Sequence, residues 1–333
     1  MKYLYVLTSD DADFFLEEAL LSITSLRLQV PAAFVSLLTD TATEANLTGK
    51  RSTIRSIVNE LVSVNIEKYS DKKICSRYLK TSMRHHVKGD FIYMDTDSVI
   101  TEDISSLFET NVNLGAVLDQ HACLHDIKKN EPIAFKWLYD LHIQLGFNSF
   151  FNTNTYFNSG MMLCKDSPVS HELFEEWHRL WLLCVEKEVF TDQQSLNQAN
   201  CNLGNVIMEL GGEWNCQIMA KGSARYLSTA KIIHYYDLHW KKNPYLLSYQ
   251  DIHIKTKETG FIPQEVKDML ACPKSLFSPN TQLQLFEKNL LEVDDATLVF
   301  YKSSVYALAK RIYQTKIGFV FERCLNFIRK RKK

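Results

Sequence analysis

The 333-residue sequence is poor in glycine, with eleven residues, about half the usual share. Neither G-x-G-x-x-G nor G-x-x-x-x-G-K-[ST] occurs, which argues against phosphate cradling by a glycine-rich loop. Proline is also scarce, at seven, and with 46% apolar residues the bulk of the chain is not disordered. The eight cysteines (75, 123, 164, 184, 201, 216, 272 and 324) contain no C-x-x-C pair. They therefore indicate neither a zinc nor a disulfide framework and read as small buried hydrophobes. Long apolar runs are missing too. The longest charge-free stretch, Leu141 to Cys164, carries four asparagines, His142 and Gln144, and cannot span a bilayer. The first eleven residues turn acidic after a few apolar positions, unlike a secretory signal. A cytoplasmic protein, peripheral at the inner face of the membrane, is the expectation.

No sign of charge dominates, since 38 Lys+Arg face 39 Asp+Glu, but the distribution is uneven. From Lys302 to Lys333 there are ten Lys/Arg and one acid, Glu322, so this tail carries +9 and the preceding residues −10. A mildly acidic body with a basic tail is unlike a nucleic-acid-binding domain, whose positive patch lies on the folded part. Residues 302–333 also suit one amphipathic helix, with Tyr306, Ala309, Tyr313, Ile317, Val320, Phe321, Cys324 and Ile328 on one face, followed by Arg329-Lys-Arg-Lys-Lys333. Five basic residues at about 1 kcal/mol each predict weak attraction to an anionic membrane surface.

Short apolar runs alternate with helical patterns through the first 120 residues. Strands are predicted at Tyr3–Thr8, Ala33–Thr39, Leu61–Ile66, Phe91–Met94 and Gly115–Leu118. Helices are predicted at Asp13–Leu28, with Asp10, Asp11 or Asp13 as cap, near Ile54–Glu60, and at Asp71–His86. Such alternation argues for an α/β protein with a Rossmann-like, mostly parallel sheet flanked by helices. Ligands on these sheets collect beyond the C-terminal strand ends. Further on, Tyr156–Cys164 and Lys231–Tyr236 read as strands, Ser170–Lys187 and Thr191–Ala199 as helices, and residues 120–155 as loops. A domain boundary is expected at 250, with 251–333 forming a helical C-terminal extension.

The strongest local signal is Phe91-Ile-Tyr-Met-Asp95-Thr-Asp97. In an extended segment, side chains two apart point the same way, so both carboxylates face one ligand just past a buried strand. Two carboxylates forced together repel unless a cation lies between them, which points to a divalent metal. Asn158-Ser159-Gly160 leads into an apolar run and reads as a turn that lets backbone approach a ligand. Asp192 opens a helix, where a carboxylate suits the dipole. His234 lies in an apolar strand; taken alone, such a histidine is more often a satisfied core residue than a ligand.

Together these segments resemble a known family. The order runs Tyr5-Val-Leu-Thr-Ser-Asp-Asp, Ser76-Arg77-Tyr78-Leu79-Lys80, Phe91-Ile-Tyr-Met-Asp-Thr-Asp, Tyr156-Phe-Asn-Ser-Gly, Asp192-Gln193-x-x-Leu196-Asn197 and Ile233-His234-Tyr235. It is similar to the retaining glycosyltransferases of family 8, over roughly residues 1–245. The resemblance implies a GT-A fold and a UDP-galactose or UDP-glucose donor bound with Mn²⁺, Mg²⁺ being the alternative ion. It also implies a glycan or glycolipid acceptor. Asp95, Asp97 and His234 would be the metal ligands. Thr8, Ser9 and Asp10 would lie against the uridine. Arg77, Asp119 and the Asn158-Ser159-Gly160 turn would surround the ribose and donor sugar. Gln193 would lie beneath the anomeric carbon, with Asp192 beside it. Lys241 or Lys242 would reach the diphosphate, although Asp237 stands where the family commonly has glycine.

Two carboxylates and an imidazole suit Mn²⁺ better than Mg²⁺, because the softer ion tolerates nitrogen ligation. Retention by double displacement needs a carboxylate at the anomeric carbon. An amide at that position favours front-face attack by the acceptor hydroxyl, with Asp192 as the fallback nucleophile. Two rival readings exist. Asp95-Thr-Asp97-Ser-Val99 also fits the D-x-D-x-[TV] nucleophile motif of haloacid-dehalogenase-like phosphohydrolases, with Asp95 attacking phosphorus. The other rival is a glycan-binding protein that kept the GT-A fold and lost turnover.

Overall fold

The computed structural model describes residues 1–148, 152–220, 223–236, 243 and 245–277, with the isolated positions 304, 308, 311, 312 and 315. Ten strands follow in chain order: β1 (Lys2–Leu7), β2 (Val35–Asp40), β3 (Glu60–Val64), β4 (Phe91–Met94), β5 (Ser98–Ile100), β6 (Leu114–Leu118), β7 (Phe157–Cys164), β8 (Met208–Leu210), β9 (Cys216–Gln217) and β10 (Ile232–His234). The helices are α1 (Phe15–Gln29), α2 (Thr41–Asn46), α3 (Ile54–Ile57), α4 (Lys72–His86), α5 (Leu124–Asn130), α6 (Pro132–Leu145), α7 (Pro168–Glu186), α8 (Gln193–Asn202), α9 (Ala224–Leu227), α10 (Gln250–Thr259) and α11 (Gln264–Met269).

Seven strands form one sheet in the order β3-β2-β1-β4-β7-β6-β8. All neighbours run parallel except β7, which is antiparallel to both β4 and β6. Every residue of β2, β4 and β7 is buried, as expected of apolar runs covered on both faces. On one covering layer, α7 turns Leu173, Phe174, Trp177, Leu180, Trp181 and Cys184 inward at helical spacing. Trp177 and Trp181 are fully buried, and each contributes up to about 3 kcal/mol by leaving water.

A second sheet orders β5-β10-β9. It pairs β10 antiparallel with β5, setting His234 opposite Ser98, and the Tyr235 amide donates to the Asp97 carbonyl at 2.9 Å. The reversed direction of β7 has its own consequence. Its first residues lie at the C-terminal ends of β4 and β6, where the Asp95 amide donates to the Gly160 carbonyl at 2.8 Å and the Asp119 amide to the Tyr156 carbonyl at 2.7 Å.

Several expectations need correcting. Residues 124–145 are two helices rather than loop; Pro132 occupies the first turn of α6 and Gly146, at φ 78°, ends it. Asn158, Ser159 and Gly160 are already within β7 and make no turn. None of Asp10, Asp11 or Asp13 is the cap residue of α1, which starts after Phe14; the nearest substitute is Asp13, whose Oδ1 accepts from Phe15 N at 3.2 Å. The compact body runs from Met1 to Leu276, past the boundary expected at 250. The reason is that α10 packs back on it: Lys257 Nζ donates to the backbone carbonyls of Asp11 and Asp13, and Lys50 Nζ to that of Glu258. Phe277–Lys333 forms a second unit. There, Ser304, Leu308, Arg311 and Ile312 are helical and exposed, and the rest of the amphipathic tail expected at 302–333 lies outside the described residues, apart from Thr315.

Candidate active site

Beyond β4 the backbone bends at Thr96 and Asp97, with Ser98 Oγ donating to the Asp95 carbonyl at 2.7 Å, and the bend still presents the Asp95 and Asp97 carboxylates to one place. The β5–β10 pairing then delivers His234, whose Nε2 lies 3.1 Å from Asp97 Oδ1 and 4.0 Å from Asp95 Oδ2. One ligand atom from each of the three residues falls within 4.8 Å of the others. The imidazole is held from behind. Its Nδ1 lies 3.1 Å from Asn215 Oδ1, and Asn215 Nδ2 donates to Asn158 Oδ1 at 3.0 Å. Gly160 leaves room for the ring, because a Cβ there would come within 2.8 Å of His234 Nδ1. Burial lowers the basicity of His234, but the charges of Asp97 and Asp95 outweigh it and hold its pKa above the ordinary value; reciprocally, Asp97 is held below the usual carboxylate range despite its burial.

This donor set fits a divalent cation. Two hard oxygen ligands converge with one nitrogen whose tautomer is set by its second partner, the arrangement expected of a metal-ligating histidine. The sequence singled out the carboxylate pair. It gave no reason, apart from the family likeness, to bring His234 to it.

Next to the carboxylates lies a buried lysine. Lys80 is 1% exposed; its ammonium is 2.9 and 3.1 Å from the two oxygens of Asp95 and 3.4 Å from Asp192 Oδ2. Tyr93 donates its hydroxyl to the same Asp95 carboxylate, and burial followed by that carboxylate's charge raises the phenol well above its ordinary pKa, keeping it a donor. Asp192 Oδ1 pairs with Arg77 Nε at 2.9 Å, and its Oδ2 accepts from Ser159 Oγ at 2.8 Å. Burial pushes the Asp192 carboxyl up, yet Lys80 and Arg77 prevail and hold it below the usual range. Its backbone carbonyl accepts from Trp177 Nε1 at 2.9 Å and Ser195 Oγ at 2.8 Å, which fixes the start of α8.

Asn158 completes the group. Its Nδ2 donates to Asp119 Oδ1 at 3.1 Å and lies 3.4 Å from Gln193 Oε1. Burial raises the Asp119 carboxyl above its ordinary pKa, although the Asn158 and Gln193 amides work against the shift. Arg77, Asp95, Asp97, Asp119, Asn158, Ser159, Gly160, Asp192, Gln193 and His234 thus form one connected polar network. Lys241 and Lys242 lie outside the described residues.

Thr8, Ser9 and Asp10 follow β1 and belong to a second cluster. Lys72 Nζ pairs with Asp10 and Asp13 at 2.6 Å each, Ser9 Oγ donates to Asp13 at 2.6 Å, and Arg51 reaches Ser9 Oγ at 2.9 Å and the Asp10 carbonyl at 3.0 Å. Thr8 Oγ1 donates to the Lys72 carbonyl at 2.8 Å. Helix α4 serves both clusters, with Lys72 at its start and Arg77 and Lys80 further along, about 12 Å separating positions 72 and 80 along the axis. The sequence did not reveal Lys72, Arg51, Asn215 or the role of Lys80. For Lys80 a signal existed: it lies between Leu79 and Met83, the second of which is its helical neighbour three residues on, in a stretch buried from Leu79 to Arg84.

Comparison with known proteins bears on this arrangement. The sequence pattern of the family described as glycosyl transferase family 8 matches residues 11–241, more than half of the chain. No curated protein sequence matches. Among solved structures, the galactosyltransferase LgtC in complex with donor and acceptor sugar analogues aligns over 80% of this chain and 99% of its own, at 16% identity and a TM-score of 0.50. The bifunctional glycosyltransferase WbbM in its apo form aligns over 80% of this chain and 51% of its own, at 16% identity and a TM-score of 0.52. At that identity the likeness establishes the fold, which is GT-A. Neither the phosphohydrolase reading nor the turnover-free reading is favoured by these matches.

Proposed function

The chain belongs to glycosyltransferase family 8, whose members retain configuration, and from that premise we propose that it moves galactose or glucose from a UDP-sugar to a glycan or glycolipid acceptor with the help of Mn²⁺. The observation that carries this reading is the convergence of Asp95, Asp97 and His234 beside the Asp119–Asn158–Gln193 group. Asp95, Asp97 and His234 would hold the metal. When bound, it supplies positive charge that stabilises the diphosphate as it leaves.

The chain's own residues account for the rest. Arg77 and Asn158 offer donors, and Asp119 an acceptor, for sugar and ribose hydroxyls. Gln193, an amide, supports positive charge developing at the anomeric carbon electrostatically, through its oxygen, rather than attacking the carbon. Asp192 is poorly placed to be a nucleophile, because one oxygen pairs with Arg77 and the other with Ser159 and Lys80. That supports front-face attack by the acceptor hydroxyl. Thr8, Ser9 and Asp10, braced by Lys72 and Arg51, form the uridine side. Lys241 or Lys242 serves the diphosphate.

Among the described residues no helix is long and apolar enough to cross a membrane. We propose a cytoplasmic protein that meets the membrane's inner face through the basic tail. A thermal-shift screen of nucleotide sugars with and without Mn²⁺, followed by assay of UDP-sugar hydrolysis, tests the function. Stabilisation by UDP-galactose or UDP-glucose only with the metal is the expected result; stabilisation by no nucleotide sugar would reject it. Flotation of the protein with anionic liposomes, against a form ending at residue 301, tests the tail.

A further inference from the structure

A lysine with 1% of its surface exposed needs a reason to be where it is, since burying a charge costs several kcal/mol unless partners compensate. Lys80 has such partners on both sides. It touches both oxygens of Asp95, Oδ2 of the Asp192 carboxylate and, at 5.2 Å, the ring of Tyr93. Among the described residues it is therefore the one side chain whose charge is shared between a metal-ligand candidate and the Asp192 carboxylate. Arg77 reaches only Asp192 among these acids by direct contact, and His234 only the Asp95–Asp97 pair.

We propose that Lys80 makes retention of the divalent metal conditional on the donor. The inference rests on the metal-dependent transferase reading above. A metal arriving alone must share the Asp95 lone pairs with an ammonium and meets a like charge beside carboxylates that are only 22% and 27% exposed. Each term opposes binding. A nucleoside diphosphate brings negative charge of its own, so the ammonium that opposed the metal now stabilises the metal–diphosphate pair. Released from Asp95, Lys80 still has Asp192 within reach to hold it in place. The two ligands are coupled through one buried charge, and by linkage the coupling acts equally in both directions.

Mn²⁺ binding to the full-length protein, read from the electron paramagnetic resonance of the free ion, tests this with and without UDP. The wild type is expected to bind Mn²⁺ alone weakly and at least about tenfold more tightly with UDP present. Lys80→Met should bind Mn²⁺ alone at least about tenfold more tightly than wild type and gain little further from UDP. It should also show a larger Mn²⁺-induced rise in melting temperature, which reports folding and binding together. Lys80→Arg, which keeps the charge, should behave as wild type. Lys80→Gln removes the charge while keeping a donor toward Asp95, and it carries the same expectation as methionine if the latter is not accommodated. A merely structural lysine would give weaker metal binding in the neutral variants, so unchanged or weaker affinity there overturns the inference. A wild type that binds no Mn²⁺ under either condition overturns the transferase reading, and the inference with it.

Discussion

The Asp95–Asp97–His234 cluster and the loop after β1 are built in opposite ways. Asp95, Asp97, Asp192 and His234 are charged or chargeable groups in a largely buried network, supplied by the segment after β4, the residue before α8 and β10, and held by neutral or oppositely charged neighbours such as Asn215, Ser159 and Lys80. The loop at Thr8–Asp13 is more open, and its ion pairs to Lys72 involve side chains up to 43% exposed. Buried charges depend on each partner, because losing one leaves the other desolvated and unpaired. Exposed pairs are screened and individually weak. The difference teaches that the two clusters, although both served by α4, should respond to mutation on different scales.

The largest effect is expected from Asp95→Asn, which should cut Mn²⁺-dependent transfer by at least about a thousandfold, ~4 kcal/mol of transition-state stabilisation. Circular dichroism should show the fold intact; undiminished turnover in the folded variant would remove the carboxylate pair from the chemistry. Asn215→Ala removes the partner of His234 Nδ1 without touching a ligand. Its Mn²⁺ affinity should fall about 10- to 100-fold by calorimetric titration, and an unchanged constant would mean that the imidazole needs no support.

Lys72→Met examines the open side. The Michaelis constant for the donor should rise about fivefold with turnover unchanged, and the difference should shrink in high salt. A fall in turnover instead would erase the contrast between the two regions. The smallest effect concerns Asp119. Burial raises its carboxyl, so its contribution to stability is complete below the unfolded pKa near 4 and is lost as pH rises through the higher folded value. Asp119→Asn should therefore raise the melting temperature by roughly 2 °C at pH 7, with no gain near pH 4, while slowing transfer. Scanning calorimetry across that range gives the sign directly.

Parts of this site could be read before any coordinates. Phe91–Met94 is a strand with the predicted bounds, and α4 and α7 lie within two residues of theirs, because a buried strand or an amphipathic helix advertises its period locally. The sequence also paired Asp95 with Asp97, but on an extended backbone, whereas the chain bends at Thr96 and Asp97 and brings the carboxylates together that way. β5, β8 and β9 passed unnoticed, since segments of two or three residues are too short to show a period. The helices at 124–145 were missed despite a legible pair of signals, a proline at the first turn of α6 and a glycine at its end.

Composition and periodicity thus determined, unaided, that the chain is an α/β protein carrying two carboxylates at the end of a buried strand. They did so because a side chain's direction and a segment's burial preference are properties of a few neighbouring residues. Which imidazole meets those carboxylates, that a reversed strand brings Asn158 and Gly160 beside them, and that a lysine lies buried between Asp95 and Asp192 were decided only by the tertiary structure. Those outcomes depend on pairings between segments as far apart as Ser98 and His234, and on which buried charges find partners, and neither quantity is encoded within any one stretch of sequence.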